Sequence, residues 1–131
     1  MPVRIVDASA LGALVFGEPK AEEVARVLSN GRLVAPALLW FELASICLQK
    51  IRVYPNQKDR ILEAFRLGRN LSIEMVEVDH SAVIRLAIEE GLSTYDANYL
   101  WLTNHLAGEL ITLDRKLRKA AEVIKNRPES V

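Results

Sequence analysis

The 131-residue chain contains one cysteine, Cys47, which excludes an intramolecular disulfide framework and a cysteine-built zinc site of the usual kinds. Cys47 falls in an apolar helical stretch and reads as core. Histidine is almost as scarce. His80 and His105 are far apart, without metal-ligand spacing, and read as surface or cap residues. There is no glycine-rich phosphate loop and no Walker motif. No apolar run reaches the roughly 18 residues of a membrane span. The stretch from Ala8 to Phe16 is headed by Asp7 and followed by Glu18-Pro19-Lys20 without a cleavage site, so it is not read as a secretory segment. A soluble, cytoplasmic protein is expected. Seventeen basic residues balance seventeen acidic ones, which excludes holding nucleic acid by bulk charge alone but allows local basic patches or a bound cation. Repeats and low-complexity segments are also absent.

What is present is half hydrophobic and arranged in alternating short and long apolar segments, enough for one domain over residues 1–131 with a real core. Val3, Ile5 and Val6 form a short β-branched run ending on Asp7, which reads as a buried parallel strand feeding a helix that runs to about Phe16. Pro19 suits the first turn of a second helix, with Val24, Val27 and Leu28 on one side, closed by Asn30-Gly31. Leu33-Val34-Ala35 is a second strand. Pro36 opens a long helix to about Arg52, apolar most of the way round, and Gln57 to Arg69 forms another. Ile73 to Val78 is a third strand. A helix begins at Asp79 or Ser81 and ends at Gly91; the next opens at Ser93 and ends at Gly108. Leu110 to Leu113 is the fourth strand and Arg115 to about Ile124 the last helix. The tail from Lys125 could add a fifth edge strand, against which Pro128 argues. Helices between short apolar strands indicate an α/β fold, with both faces of a parallel sheet covered.

Four carboxylates stand out against this frame. Asp7 and Asp114 each follow a strand and precede a helix, so they lie at the same end of a parallel sheet, where sites collect. Each also reads as an ordinary helix N-cap. Asp96 sits in Ser93-Thr94-Tyr95-Asp96, a capping-box pattern that accounts for its place by itself. Glu42 is mid-helix, where no cap is needed. It belongs either to a polar stripe with Ser45, Gln49 and Arg52 or to a buried site that needs a partner or a cation. Four carboxylates gathered together would repel one another unless a cation joined them. Mg²⁺ or Mn²⁺ suits an all-oxygen donor set. Tyr95, Tyr99 and Trp101 straddle one helix and read as core and rim rather than as a base-stacking platform.

The segments Val6-Asp7-Ala8-Ser9-Ala10-Leu11, Phe41-Glu42-Leu43-Ala44, Ser93-Thr94-Tyr95-Asp96-Ala97-Asn98-Tyr99-Leu100 and Thr112-Leu113-Asp114-Arg115-Lys116-Leu117 occur in an order that resembles the PIN-domain nucleases, most closely the toxin members of VapBC toxin–antitoxin systems. The resemblance spans nearly the whole chain. It implies a three-layer α/β/α sandwich around a parallel sheet of four to five strands, and a Mg²⁺- or Mn²⁺-dependent ribonuclease. Asp7, Glu42, Asp96 and Asp114 match the family's acidic quartet, with Asp7 and Asp96 expected to hold the metal most directly. Glu42 and Asp114 would complete the shell, partly through water. A second ion would enter only with substrate. Thr112 and Ser9 match supporting positions. Arg115 and Lys116 could steer the RNA backbone or simply be a solvated helix start, and the basic hairpin from Lys50 to Arg69 is a further electrostatic candidate. The resemblance also implies a homodimer and a small antitoxin packed along the helices near the site. Two other classes fit less well. A non-catalytic PIN-like module that binds RNA or protein would not need the acidic quartet. A receiver-type signalling domain would need paired acids after the first strand and a phosphoacceptor Asp after the third; Asp7 stands alone, so Asp79, which follows the third strand, has no such acidic pair.

Overall fold

The computed structural model of the protein describes residues 1–125. The chain runs β1 (Val3–Val6), α1 (Ala8–Val15), α2 (Ala21–Leu28), β2 (Arg32–Ala35), α3 (Leu38–Val53), a 3₁₀ turn at Pro55–Gln57, α4 (Lys58–Gly68), β3 (Glu74–Met75), α5 (His80–Glu90), α6 (Thr94–His105), β4 (Glu109–Ile111) and α7 (Arg115–Lys125). The sheet order is β3-β2-β1-β4 and every pairing is parallel.

The apolar strands β1 and β2 occupy the middle of this sheet, and their successive side chains point to opposite faces. Ile5 and Val6 of β1 are both fully buried but belong to different cores. Val6 and Ala35 pack with Leu11, Val24, Leu39 and Leu43, beneath the layer of α1, α2 and α3. Ile5 and Val34 pack with Tyr99, Leu100, Leu102 and Leu117, beneath α6 and α7. The helices thus cover both faces of the sheet. The expected α/β/α sandwich is the observed architecture, with four strands among the described residues.

Several boundaries differ from the sequence reading. α2 begins at Ala21 with Lys20 as its N-cap, so Pro19 precedes the helix and is not in its first turn. The third strand is two residues long, not six, and pairs only as Val34↔Glu74 and Ala35↔Met75. Its partner β2 stops at Ala35, and Pro36 brings no N–H to extend the ladder. The fourth strand ends at Ile111 rather than Leu113, because the Leu113 and Asp114 amides turn to the Ser9 and Thr112 hydroxyls instead of to a strand. The last helix runs on to Lys125, so Val123, Ile124 and Lys125 are helical; the remainder of the expected edge strand lies outside the described residues.

Gly108 has a different task from the one its position suggested. α6 ends one turn earlier, in a Schellman-type closure: the Gly108 amide donates to Thr103 O and the Ala107 amide to Asn104 O. The left-handed residue is Ala107, at φ 50°. Gly108 instead lies against β1, where an added Cβ would stand 2.4 Å from Ile5 Cδ1 and 2.9 Å from the Val3 carbonyl. Ala107→Gly is therefore expected to stabilise the protein by about 1 kcal/mol. Gly108→Ala is expected to destabilise it by roughly 1–3 kcal/mol through overpacking. Urea unfolding of the two variants tests both, and equal midpoints would refute the assignment.

Candidate active site

β1 is central and β4 is its neighbour, so the chain leaves both strands side by side. The residues that follow, Asp7 and Thr112, meet there. Asp7 is buried, at 5 % exposure, and Thr112 likewise. Asp7 Oδ1 accepts from the Ala10 amide at 3.0 Å, which caps α1, and from the Ser9 hydroxyl at 2.7 Å. Asp7 Oδ2 accepts from the Thr112 hydroxyl. The same two hydroxyls are acceptors in their turn: Ser9 Oγ takes the Leu113 amide at 2.9 Å and Thr112 Oγ1 the Asp114 amide at 3.0 Å. Arg118 donates to the Thr112 carbonyl from behind. The strand ends are thereby laced together by side chains at the point where the backbone ladder stops.

Asp114 caps α7 by accepting from the Leu117 amide at 3.0 Å, and it is exposed. Its capping reading and its place beside Asp7 hold together. Asp96 divides the capping box. Ser93 caps α6 by accepting the Asp96 amide at 3.1 Å, but the Asp96 carboxylate accepts no hydrogen bond among the described residues. It lines the cleft that Asp7, Glu42 and Asp114 also line, together with Ser9, Ser45 and Tyr99. Glu42, half-buried on α3, accepts from the Tyr99 hydroxyl at 2.6 Å. The polar stripe through Ser45 therefore continues into the cleft, and Glu42 is not simply facing water.

The electrostatics show that the four charges share one space. Burial raises the Asp7 carboxyl above its ordinary value; the Thr112, Ala10 and Ser9 donors oppose that, and the Asp114 charge adds to it. Burial also raises Glu42, opposed by the Tyr99 donor and reinforced by Asp7 and Asp96. Asp96 is raised by burial and by Asp114, and lowered by the Lys116 ammonium.

Among the described residues, no three His, Cys, Asp or Glu side chains form a ready metal cage. The donor set nonetheless fits a hard divalent ion of the Mg²⁺ type, which binds through one or two carboxylates and keeps several waters. All four candidates are oxygen donors on one cleft, and their mutual repulsion is what such a cation relieves.

Of the basic candidates, Lys116 acts on Asp96, while Arg115 is exposed in the first turn of α7. In the hairpin, Lys50 is engaged by Glu18, Arg66 by Glu63, and Arg69 lies over the Trp40 ring at 4.4 Å. The sequence reading did not assign Tyr99 to the site. Its spacing of three residues from Asp96 was the available signal, since residues at i and i+3 share a helix face. Tyr95, by contrast, is exposed at the cleft rim, and Trp101 stacks on His105 at 4.5 Å.

A family model described as PIN domain matches residues 4–123. The chain is 31% identical over 121 residues to "Ribonuclease VapC3" of Pyrobaculum aerophilum, a match covering 86% of this chain and 90% of that protein. The crystal structure of PAE2754 from Pyrobaculum aerophilum superposes with a TM-score of 0.76 at 24% identity, over 94% of this chain and 92% of that one, a likeness of fold.

The raised carboxyls make a signed prediction for the metal-free protein. Their contribution to stability is fully present below the ordinary values of 3.8 for Asp and 4.5 for Glu, and is lost as pH rises through the raised folded values. At neutral pH the native state carries the whole cost. Asp96→Asn removes one share of it, and should melt above the wild type at pH 7.5 in EDTA, the gap closing as pH falls toward 4. A variant that melts at or below the wild type at neutral pH refutes this.

Proposed function

The chain belongs to the PIN-domain family, and from that membership we propose that it is a metal-dependent ribonuclease, acting as the toxin of a type II toxin–antitoxin pair. The observation that carries the reading is the meeting of Asp7, Glu42, Asp96 and Asp114 on one cleft from four separate segments of the chain. The similarity to a VapC ribonuclease over most of both chains supports the same substrate, RNA.

In this reading Asp7 and Asp96 would hold Mg²⁺ or Mn²⁺ most directly, with Glu42 and Asp114 completing the set. Such an ion lowers the pKa of a coordinated water and offsets charge on a phosphodiester undergoing hydrolysis. The residues of the chain do the rest. Ser9 and Thr112 fix both oxygens of Asp7, so that its carboxylate keeps one orientation through turnover. Lys116, already acting on Asp96, and Arg115 beside it offer positive charge to the RNA backbone at the rim.

Two partners belong to the same proposal. The homodimer is supported by Phe41, Ile84, Ile88 and Tyr95, each more than half exposed. Phe41, Ile84 and Tyr95 line an apolar groove next to the acidic cleft. The antitoxin is supported by the groove between the end of α1 and the α3–α4 hairpin, where Val15, Phe16, Tyr54 and Ile61 lie beside Lys50 and Arg60. No helix among the described residues is long and apolar enough to cross a membrane.

Cleavage of a mixed RNA pool in Mg²⁺, Mn²⁺ or EDTA, by wild type and by Asp96→Asn purified in parallel, tests the activity. We expect metal-dependent cutting by the wild type and at least a hundredfold loss in the variant, with an unchanged circular dichroism spectrum. Equal cutting by both would place the activity elsewhere, and no cutting by either would favour the binding-module reading. Sedimentation tests the assembly: the wild type should run as a dimer and Ile84→Asp as a monomer. A monomeric wild type removes that part of the proposal.

A further inference from the structure

We propose that Tyr99 is a positioning residue for the acidic cleft: its buried hydroxyl sets the orientation of Glu42, and through it the fit of the cleft to a hard divalent cation. The inference rests on the metal-dependent reading above and adds to it a residue outside the acidic quartet.

The Tyr99 ring is 2 % exposed and is packed with Ile5, Val34, Leu100, Leu102 and Leu117. Its backbone is tied as well, since the Thr103 hydroxyl donates to the Tyr99 carbonyl at 2.8 Å. The ring therefore has one place, and so has its hydroxyl. A buried phenol must donate to something. It donates to Glu42 Oε1 at 2.6 Å, across from α6 to α3 and over 57 residues of chain. That is the hydrogen bond the Glu42 side chain makes among the described residues, so Oε2 of this cleft-lining residue has no protein donor.

Glutamate has three side-chain torsions to restrain, and a half-buried one on a helix face has several rotamers to choose from. A donor held rigidly by the core removes that choice for one oxygen and aims the other. The reverse account, in which Glu42 is there to satisfy Tyr99, is the poorer one. A phenol is satisfied at less cost by a neutral acceptor than by a carboxylate that is already desolvated and repelled by Asp7 and Asp96. The pairing makes sense if the placement of the carboxylate is the purpose. Asp96 and Tyr99 are three residues apart, so one turn of α6 supplies one carboxylate of the cleft and orients another.

Tyr99→Phe deletes the hydroxyl and keeps the ring. Calorimetric titration of the metal-free protein with Mn²⁺ reads the effect without reference to turnover. We expect the Mn²⁺ dissociation constant to rise about tenfold in Tyr99→Phe, the usual scale for loss of an outer partner of a metal ligand, and the melting temperature in EDTA to fall modestly, as loss of one hydrogen bond to a half-buried carboxylate requires. Glu42→Gln keeps an acceptor for Tyr99 but removes the charge. In that background, adding Tyr99→Phe should weaken Mn²⁺ binding no further. Two results overturn the proposal: Mn²⁺ affinity equal in wild type and Tyr99→Phe, or the same loss from Tyr99→Phe whether or not Glu42 is intact. A wild type that binds no Mn²⁺ overturns the metal-dependent reading and this inference together, and is distinguished from the first two by the wild-type titration alone.

Discussion

The cleft depends on one side-chain bracket, the Thr112 hydroxyl donating to Asp7 with Ser9 closing the other side. Parallel strands end with backbone groups that have no further rung to bond. In this protein the ends of β1 and β4 are finished by hydroxyls that donate to a carboxylate and accept from the amides of Leu113 and Asp114. Without the bracket, the Ala10 amide alone would remain to orient the Asp7 carboxylate. A buried carboxylate tolerates its surroundings because three donors converge on it, while burial and a neighbouring charge still push its proton affinity up. The site is thus held together by neutral donors and held apart by its own charges.

That opposition explains why the helices meet as they do. Each acidic side chain is carried by a segment whose placement is decided by apolar packing, not by attraction among the acids. α3 is anchored by Leu39 and Leu43 on one sheet face, and α6 by Leu100 and Leu102 on the other. The two cores thereby fix the helices whose carboxylates repel. The repulsion is a local cost spread over a well-buried scaffold, as is common where function competes with stability. A divalent cation would turn the cost into a binding energy. Such an ion needs only one or two direct carboxylates.

The hydroxyl groups around the cleft divide into two kinds. Ser9 and Thr112 lie beyond the carboxyl ends of β1 and β4 and bond Asp7; Tyr99 comes from the core under α6 and α7 and bonds Glu42. In each case a neutral donor is fixed by packing or by its own second bond before it reaches the acid. Preorganisation of this kind costs conformational entropy during folding rather than during binding.

The sequence by itself determined the alternation of strands and helices, the burial of β1 on both faces, and the positions of all four acids at the strand or helix ends and mid-helix site where they are found. These follow from local rules: β-branched runs, helical periodicity, caps and breakers act over a few residues and are visible there. The length of β3 and the early end of β4 were not visible, because a strand ends where its partner ends, and the partner is remote in sequence. Nor did the sequence decide between cap and cleft. Asp7 and Asp114 turned out to serve as caps while lining the cleft, and only the β1–β4 adjacency brings them together. The place of Tyr99 was the least legible feature, since an aromatic at helical spacing is ordinarily core, and Tyr99 is core for all but its last atom. What that atom touches is set by the sheet, which carries α3 on one face and α6 on the other so that Tyr99 reaches Glu42, a long-range arrangement for which no local pattern in the chain is a sufficient cause.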